Sequence, residues 1–383
     1  MIKRLILHIG KGLLGAIFFF MKLAPQDSDR IVFLSRESDR PSVDFTLLEE
    51  QLKKDMPNAK IVMLTRRFAT DEGGKIGAAL SYGMYMLKQM HHVARARAVI
   101  LDTYNPAVSL FKQRKSLLVM QLWHAMGNMK RFGYALLDKG EGSGADVARI
   151  MRMHKGYDYI LISSKSFIDD YSAGFGLSED ERTKIIELPL PKADLLTDAD
   201  HAAHAREAFL KSHGLLNGKK KILYCPTFRK ENDRTADAVS ALSHAADLSK
   251  YDIIVKLHPL SRVDDLPNGV TAVGGSAFDA IFAADYVISD YSTIIYEAGL
   301  AGKPLLCYSY DFESYEQVRE LNFDIAAEFP GPFSSDAGEI MRAIENDDFD
   351  MARQREFIER NVHMPTGMSC TQALSRFIID HLK

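Results

Sequence analysis

The stretch Tyr286–Tyr308, YVISDYSTIIYEAGLAGKPLLCY, decides the fold of this chain. It opens with Tyr286–Ser289, a short apolar run rich in β-branched and aromatic residues that predicts a buried strand. Ser292 and Thr293 are residue types that often begin helices, and the apolar spacing after them predicts a helix. Leu305–Tyr308 is the next strand. A strand, a helix and a strand in this order predict a βαβ unit of a parallel sheet.

The turn between that strand and that helix is a candidate anion site. Free backbone N–H groups and the positive end of the helix dipole meet there, and Ser292 and Thr293 add two hydroxyl donors. The alternative is a helix start that binds nothing, because the turn has no glycine-rich phosphate loop. On the turn alone the two interpretations are about equal, and the rest of the sequence decides between them.

Length and composition indicate a globular protein of two domains. The chain has 383 residues, of which 46% are hydrophobic and 26% are charged, and this exceeds one ordinary core. A net charge of -3 gives no overall attraction to nucleic acid. The three cysteines, Cys225, Cys307 and Cys370, are far apart and have neither metal-ligand nor disulfide spacing. This usage is typical of a reducing cytosol.

Predicted strands and helices alternate in two series, which begin near Arg30–Arg36 and Lys221–Pro226. The alternation predicts two α/β Rossmann-like domains that face each other across a cleft, as in the glycosyltransferase B (GT-B) fold. We place the first domain at 25–190 and the second at 191–362. Residues 363–383 predict a C-terminal helix that packs back on the first domain.

Residues 1–24, MIKRLILHIGKGLLGAIFFFMKLA, are basic and apolar and contain no acid. Their uninterrupted apolar part, Leu13–Met21, is shorter than the about 20 residues that span a bilayer. Lys11 interrupts the apolar run that a signal peptide needs. The pattern favours an amphipathic helix that lies on an anionic membrane surface. The alternative is a first helix that packs on the protein itself.

Two histidines follow predicted strands, one in each domain. His124 comes after Trp123 at the end of the strand within Ser116–Leu122, and His258 ends a strand in the second series. A histidine at such a position is suited to general-base catalysis on a hydroxyl. The alternative is a core histidine bonded to a backbone carbonyl. Trp123 and Lys130 lie close to His124 in sequence and are candidates for the acceptor side.

The second domain supplies the candidate donor contacts. Arg229 ends the motif that begins at Pro226 and can hold phosphate oxygens bidentately, with Thr227 beside it. Asp290 would repel a phosphate and is expected to orient its neighbours, whereas Glu297 could accept from a sugar hydroxyl. The alternative interpretation of Arg229 is a surface arginine, and that of Glu297 is a residue on a solvated helix face. We see no metal-ligand spacing, so basic side chains and helix ends are expected to neutralise the leaving phosphate.

In combination these motifs resemble the CDP-glycerol glycerophosphotransferase family, the teichoic acid primases and polymerases. No single motif is specific for this family, but the order and spacing of the motifs together are. The residues that carry the resemblance are Trp123-His124 with Lys130 and Gly133, Leu190-Pro191-Lys192-Ala193-Asp194, Pro226-Thr227-Phe228-Arg229, His258-Pro259, Ser289-Asp290-Tyr291-Ser292-Thr293 with Glu297, Tyr308, Asp311, Tyr315, Arg319, and Pro330-Gly331-Pro332.

The resemblance implies a GT-B fold, a CDP-alcohol donor, no cofactor, no required metal and peripheral attachment to the cytoplasmic face of the bacterial membrane. It also implies an acceptor linked to undecaprenyl diphosphate, with His124 and His258 as the catalytic pair. The family's donor-phosphate site corresponds here to Arg229, Ser289, Asp290, Ser292 and Thr293.

Departures from the family pattern favour a primase-like member. Ala125, Met126 and Gly127 stand where many members have a glycine and then a threonine-proline pair. Lys192 replaces a common arginine, Glu320 a common glycine and Glu297 an aspartate. These departures bear on the donor and on chain length more than on the type of reaction.

The expected reaction is transfer of glycerol phosphate from CDP-glycerol to a hydroxyl of a lipid-linked disaccharide, with release of CMP. His124 would act as the general base, and His258 would hydrogen-bond the diphosphate of the donor and stabilise the charge of the leaving CMP. Three alternatives stay open: CDP-ribitol or polymerising transfer, a nucleotide-sugar glycosyltransferase that releases a nucleoside diphosphate, and a non-catalytic membrane-binding module. Homo-oligomerisation is also left open.

Overall fold

A computed structural model describes residues 2–67, 74–139, 142–229, 233–258, 261, 263, 265–318 and 320–382. Two positions of the family resemblance, Pro259 and Arg319, lie outside these residues. The chain forms two compact units. The first unit comprises Met1–His124, Phe132–Lys192 and Met364–Lys383, and the second comprises Ala125–Arg131 and Ala193–His363.

Each unit contains one six-stranded sheet. The strands of the first unit are β1 (Arg30–Ser35), β2 (Lys60–Thr65), β3 (Ala98–Leu101), β4 (Leu118–Gln121), β5 (Tyr159–Ile162) and β6 (Ile185–Glu187). Those of the second unit are β7 (Lys220–Cys225), β8 (Tyr251–Val255), β9 (Val270–Ala272), β10 (Tyr286–Ser289), β11 (Leu305–Tyr308) and β12 (Phe333–Ser334).

Helices connect the strands within each unit. They are α1 (Ile2–Met21), α2 (Val43–Asp55), α3 (Gly74–Arg95), α4 (Pro106–Ser109), α5 (Ala145–Ile150), α6 (Ile168–Phe175), α7 (Lys192–Leu196), α8 (Ala199–Ser212), α9 (Thr235–Ala245), α10 (Ala277–Ala283), α11 (Ile294–Leu300), α12 (Phe312–Val318), α13 (Ile325–Glu328), α14 (Ala337–Glu345), α15 (Met351–Asn361) and α16 (Cys370–Asp380). Short 3₁₀ helices cover Gly133–Leu136, Lys165–Phe167 and Glu179–Lys184.

The sheet of the first unit is parallel, with strand order β2-β1-β3-β4-β5-β6. Every residue of β3 and β4 is buried, as expected for central strands covered by helices on both faces. On one face, the rings of Phe33 in β1 and Phe45 in α2 meet edge to face at 5.0 Å. Strand order reverses between β1 and β3, and ligands of such sheets bind at the carboxyl edge near that point.

The C-terminal helix α16 belongs to the first unit and packs against α2. It begins with a capping box in which Ser369 and Gln372 bond each other's backbone N–H groups. Leu374 and Ile378 are fully buried in the core of that unit. Ser375 donates to Asp55 at 2.6 Å, which ties the two helices together.

The sheet of the second unit is also parallel, with strand order β12-β11-β10-β7-β8-β9. The strands β10 and β11 pair in parallel through Val287 and Leu305, with α11 between them in sequence. The predicted α/β fold with two parallel sheets is therefore confirmed. This strand order is the doubly wound order of dinucleotide-binding domains, and it reverses between β7 and β10.

Candidate active site

In the first unit, the candidate site is built where β3 ends. Asp102 follows β3 directly, and burial raises the pKa of its carboxyl group to about 7. Its main-chain carbonyl lies 3.0 Å from Nδ1 of His124. A carbonyl oxygen can only accept, so Nδ1 carries the proton and Nε2 of a neutral His124 keeps its lone pair.

His124 is exposed to solvent and stands just beyond β4. Its ring lies on the indole of Trp123, with centroids 4.4 Å apart and an interplanar angle of 33°. Lys192, the first residue of α7, lies 3.7 Å from the carboxylate of Asp44 and donates to the carbonyl of His124 at 3.5 Å. The predicted base is thus an accessible imidazole on an ordered support.

A cluster of rings fills the space behind Trp123. Phe132, Phe175 and His154 surround the indole, with centroids 4.8, 5.3 and 5.7 Å away. Burial, together with the charge of Lys155, lowers the pKa of His154 to about 4, so this second histidine is neutral at physiological pH. His154 was not among the predicted site residues, because nothing in the sequence distinguishes it from any other helix-end histidine.

In the second unit, Thr227 and Asp290 meet at the point where strand order reverses. Thr227 follows β7 and Asp290 follows β10. The backbone N–H of Thr227 lies 3.0 Å from both carboxylate oxygens of Asp290, and its hydroxyl donates to one of them at 2.6 Å. Asp290 is fully buried. These bonds join the chain after β7 to the chain after β10.

Arg229 is held between two carboxylates. Its Nε and Nη2 each donate to Asp311 at 2.8 Å, and its Nη1 donates to Asp290 at 2.6 Å and to the carbonyl of Thr227. Burial acts to lower the pKa of Arg229, but the charge of Asp290 and the bonds to Asp311 raise it above its ordinary value. The rings of Tyr310 and Tyr315 lie 4.7 and 5.3 Å from the guanidinium carbon.

Two of the predicted donor residues are engaged in contacts within the protein. Every nitrogen of the Arg229 fork donates to a carboxylate, so the side chain acts as a structural clamp between Asp290 and Asp311. Ser289 is likewise buried, and its hydroxyl donates to the carbonyl of Cys225 at 2.9 Å. Both residues fasten the end of β10 to its neighbours.

Other predicted donor residues remain accessible. Ser292, Thr293 and Glu297 are half-buried at the start of α11, and the side chain of Thr293 caps no N–H group of that helix. His258 is exposed beyond β8, and its ring stacks on Phe228 with centroids 5.0 Å apart. These side chains present polar atoms to solvent at the carboxyl edge of the second sheet.

The segment Ala125–Arg131 belongs to the second unit, although it follows His124 directly. Lys130 forms an antiparallel bridge with Leu321, and its Nζ donates to the hydroxyl of Thr227 at 3.3 Å. A Cβ on Gly127 would overlap the ring of Tyr296, which explains the glycine there. Lys130 was predicted on the acceptor side, and in the structure its Nζ lies beside Thr227 of the second unit. Its sequence neighbours alone did not reveal that placement.

Within the described part of the chain, no group of three or more histidine, cysteine, aspartate or glutamate side chains could hold a metal ion. None of the helices described has the length and apolar character needed to cross a bilayer.

Two parallel doubly wound sheets, with polar residues collected at their carboxyl edges, define a protein of the Rossmann-like, GT-B-like class. The sequence profile of CDP-glycerol:poly(glycerophosphate) glycerophosphotransferase matches residues 16–378. The chain belongs to this family, which confirms the resemblance predicted from the motifs.

Similar proteins span nearly the whole chain. A teichoic acid ribitol-phosphate primase from Bacillus spizizenii is 30% identical, over 99% of this chain and 98% of its own length. A teichoic acid glycerol-phosphate primase from Bacillus subtilis is 26% identical, over 95% of each chain. A structure of the wall teichoic acid polymerase TagF soaked with CDPG has a TM-score of 0.77 at 16% identity, and covers 100% of this chain and 97% of that chain.

Proposed function

We propose that this protein transfers glycerol phosphate from CDP-glycerol to a hydroxyl of a lipid-linked disaccharide and releases CMP, as a teichoic acid primase does. The observation that carries the proposal is the family match over residues 16–378. Similarity over nearly the full length of two primases supports the primase-like assignment. The soak of TagF with CDPG supports CDP-glycerol as the donor.

In the proposed reaction, His124 is the general base. The acceptor hydroxyl attacks the phosphorus that bears glycerol, a new P–O bond forms, and the bond from that phosphorus to CMP breaks. The hydroxyl proton moves to Nε2 of His124, because Nδ1 already donates to the carbonyl of Asp102. CMP leaves with the electron pair of the broken bond.

We assign the donor phosphates to the accessible groups of the second unit. Ser292 and Thr293 offer hydroxyl donors, and His258 is exposed at the same edge of the sheet. Lys130, whose Nζ lies 3.3 Å from the Thr227 hydroxyl, supplies a cation there. In this proposal Arg229 acts through Asp290 and Asp311 by holding the turn in shape.

A second candidate donor is CDP-ribitol. The observation that favours it is the 30% identity to a ribitol-phosphate primase over 99% of this chain, against 26% for the glycerol-phosphate primase from Bacillus subtilis. The chemistry at phosphorus is the same for both donors. The two differ only in the length of the polyol, so binding of each nucleotide to the protein separates them.

We also propose that α1 attaches the protein to the cytoplasmic face of the membrane. One side of α1 packs on the first unit, where Phe18 is buried and its ring lies 5.3 Å from that of Phe111. Its other side leaves Ile9, Leu13 and Phe20 63%, 64% and 67% exposed. Exposed apolar side chains on a basic, acid-free helix are the features of interfacial membrane binding.

The test is to incubate the protein with CDP-glycerol or CDP-ribitol and a prenyl-diphosphate disaccharide, and to measure CMP and the mass of the lipid product. We expect CMP and a product heavier by one or a few polyol phosphates. Release of a nucleoside diphosphate from a nucleotide sugar would favour a glycosyltransferase. A lack of CMP with every donor and lipid-linked acceptor would favour a non-catalytic binding module.

A further inference from the structure

The turn that presents His124 is held by one buried side chain that the proposed reaction does not use. Gln121 is the last residue of β4 and is fully buried. Its Oε1 accepts from the backbone N–H of Trp123 at 3.0 Å, and its Nε2 donates to the carbonyl of Thr103 at 3.1 Å. One amide group thus joins the chain after β4 to the chain after β3.

Trp123, which precedes His124 and donates its N–H to Gln121, has an unusual backbone conformation. Trp123 has a φ of 63°, in the left-handed region that bulky residues rarely adopt. Such a conformation persists only when its surroundings over-determine it. Here the surroundings are the bond from the Trp123 N–H to Gln121 and the rings of Phe132 and Phe175 on the indole.

The two bonds of Gln121 and the bond of His124 close one loop of contacts. Gln121 holds the carbonyl of Thr103, and His124 bonds the carbonyl of the preceding residue, Asp102. Gln121 therefore adds a side-chain bond between the ends of β3 and β4, whose backbones already pair, next to the carbonyl that is the partner of His124. That partner decides which ring nitrogen carries the proton.

We propose that Gln121 is a positioning residue for His124: its buried amide sets the left-handed turn at Trp123 and, through it, the ring orientation and tautomer of His124. The inference rests on the proposed role of His124 as the base. A rigid support of this kind matters because a base displaced by about 1 Å loses about 100-fold in rate.

The test uses Gln121→Leu, which removes both bonds at similar volume, with Gln354→Leu as a matched control. Gln354 in the second unit is also buried, accepts from the N–H of Leu305 at 3.0 Å and donates to the carbonyl of Lys303 at 2.9 Å. Both variants lose a buried amide with two backbone bonds, so Gln354→Leu shows what that loss alone does to kcat. Gln121 has in addition a side-chain hydrogen bond with Tyr157.

We expect Gln121→Leu to lower kcat for CMP release about 100-fold while KM for the CDP-alcohol changes less than about twofold. Gln354→Leu is expected to keep kcat within about twofold. Equal losses of kcat in the two leucine variants would overturn the proposal.

A second measurement needs no turnover. In protein labelled with ¹⁵N-histidine, His124→Ala identifies the His124 signals, and the nitrogen shifts report which ring nitrogen carries the proton. We expect the Nδ1–H form in the wild type and a mixture of tautomers in Gln121→Leu. An unchanged tautomer would refute the positioning role even in an active enzyme. A wild-type protein without transferase activity would refute the proposed function and leave this measurement valid.

Discussion

Substitution of Arg229 by methionine tests whether this residue acts as a structural clamp or binds the donor phosphate. Arg229 is 7% exposed and its partner Asp290 is fully buried. Removing the arginine leaves a buried carboxylate without its cation, and breaking a buried pair in this way costs about 3–5 kcal/mol. The geometry therefore predicts that Arg229→Met lowers the free energy of unfolding of the second unit by about that amount.

The matched control is Arg234→Met, in the same unit. Arg234 lies 3.3 Å from Asp237, with side chains 63% and 71% exposed, so its loss is expected to cost less than about 1 kcal/mol. Both variants lose one positive charge. Hydrogen exchange of β7 and β10 in increasing urea measures the stability of the second unit in each protein.

A specific result would refute this reasoning. Suppose that the amides of β7 and β10 are as well protected from hydrogen exchange in Arg229→Met as in Arg234→Met. If Arg229→Met then binds the CDP-alcohol much more weakly by calorimetry, Arg229 contacts the donor directly. Arg229→Lys refines the test because it keeps the charge and loses the fork. We expect it to fall between wild type and Arg229→Met in stability, since a lysine cannot bond two oxygens of Asp311 and one of Asp290 together.

Four further results are expected. His124→Ala should lower turnover far more than CDP-alcohol affinity, as steady-state kinetics and calorimetry would show. Gly127→Ala should destabilise the second unit by about 1–3 kcal/mol in urea unfolding, because the added methyl overlaps a tyrosine ring. Burial raises the pKa of Asp102 to about 7, so the free energy of unfolding should fall as the pH rises from about 4 to 7. The fall amounts to at most about 4 kcal/mol, and pH-dependent unfolding curves should show that Asp102→Asn flattens it. Leu13→Glu with Phe20→Glu should reduce pelleting with anionic vesicles and leave transfer to a soluble acceptor analogue unchanged.

The sheets could be predicted from the sequence because their signals are local. Runs such as Tyr286–Ser289 and Leu305–Tyr308 are apolar throughout, and central parallel strands are buried on both faces. The same signals placed His124 and His258 after strand ends. A residue at the end of a parallel strand lies at the edge where ligands bind, whatever the details of packing.

The partners of the polar side chains could not be predicted in this way. Arg229 bonds Asp311, which lies 82 positions further along the chain, and no local pattern links the two. Lys130 was grouped with its sequence neighbour His124, but a bridge to Leu321 carries it into the second unit. The left-handed backbone of Trp123 also has no sequence signal, because tertiary contacts hold a bulky residue there.

The clamp has a consequence for how a pyrophosphate could be bound at the second sheet. The two carboxylates of Asp290 and Asp311 and the guanidinium of Arg229 sum to a charge of −1, so the strand ends themselves do not attract an anion. The hydroxyl of Thr227 is also committed, since it donates to Asp290 at 2.6 Å. Positive charge for the phosphates must then come from side chains around the clamp, and Lys130, 3.3 Å from that hydroxyl, is so placed. Removal of the Lys130 side chain should therefore weaken CDP-alcohol binding more than removal of the Arg229 side chain does, when both are measured on folded protein.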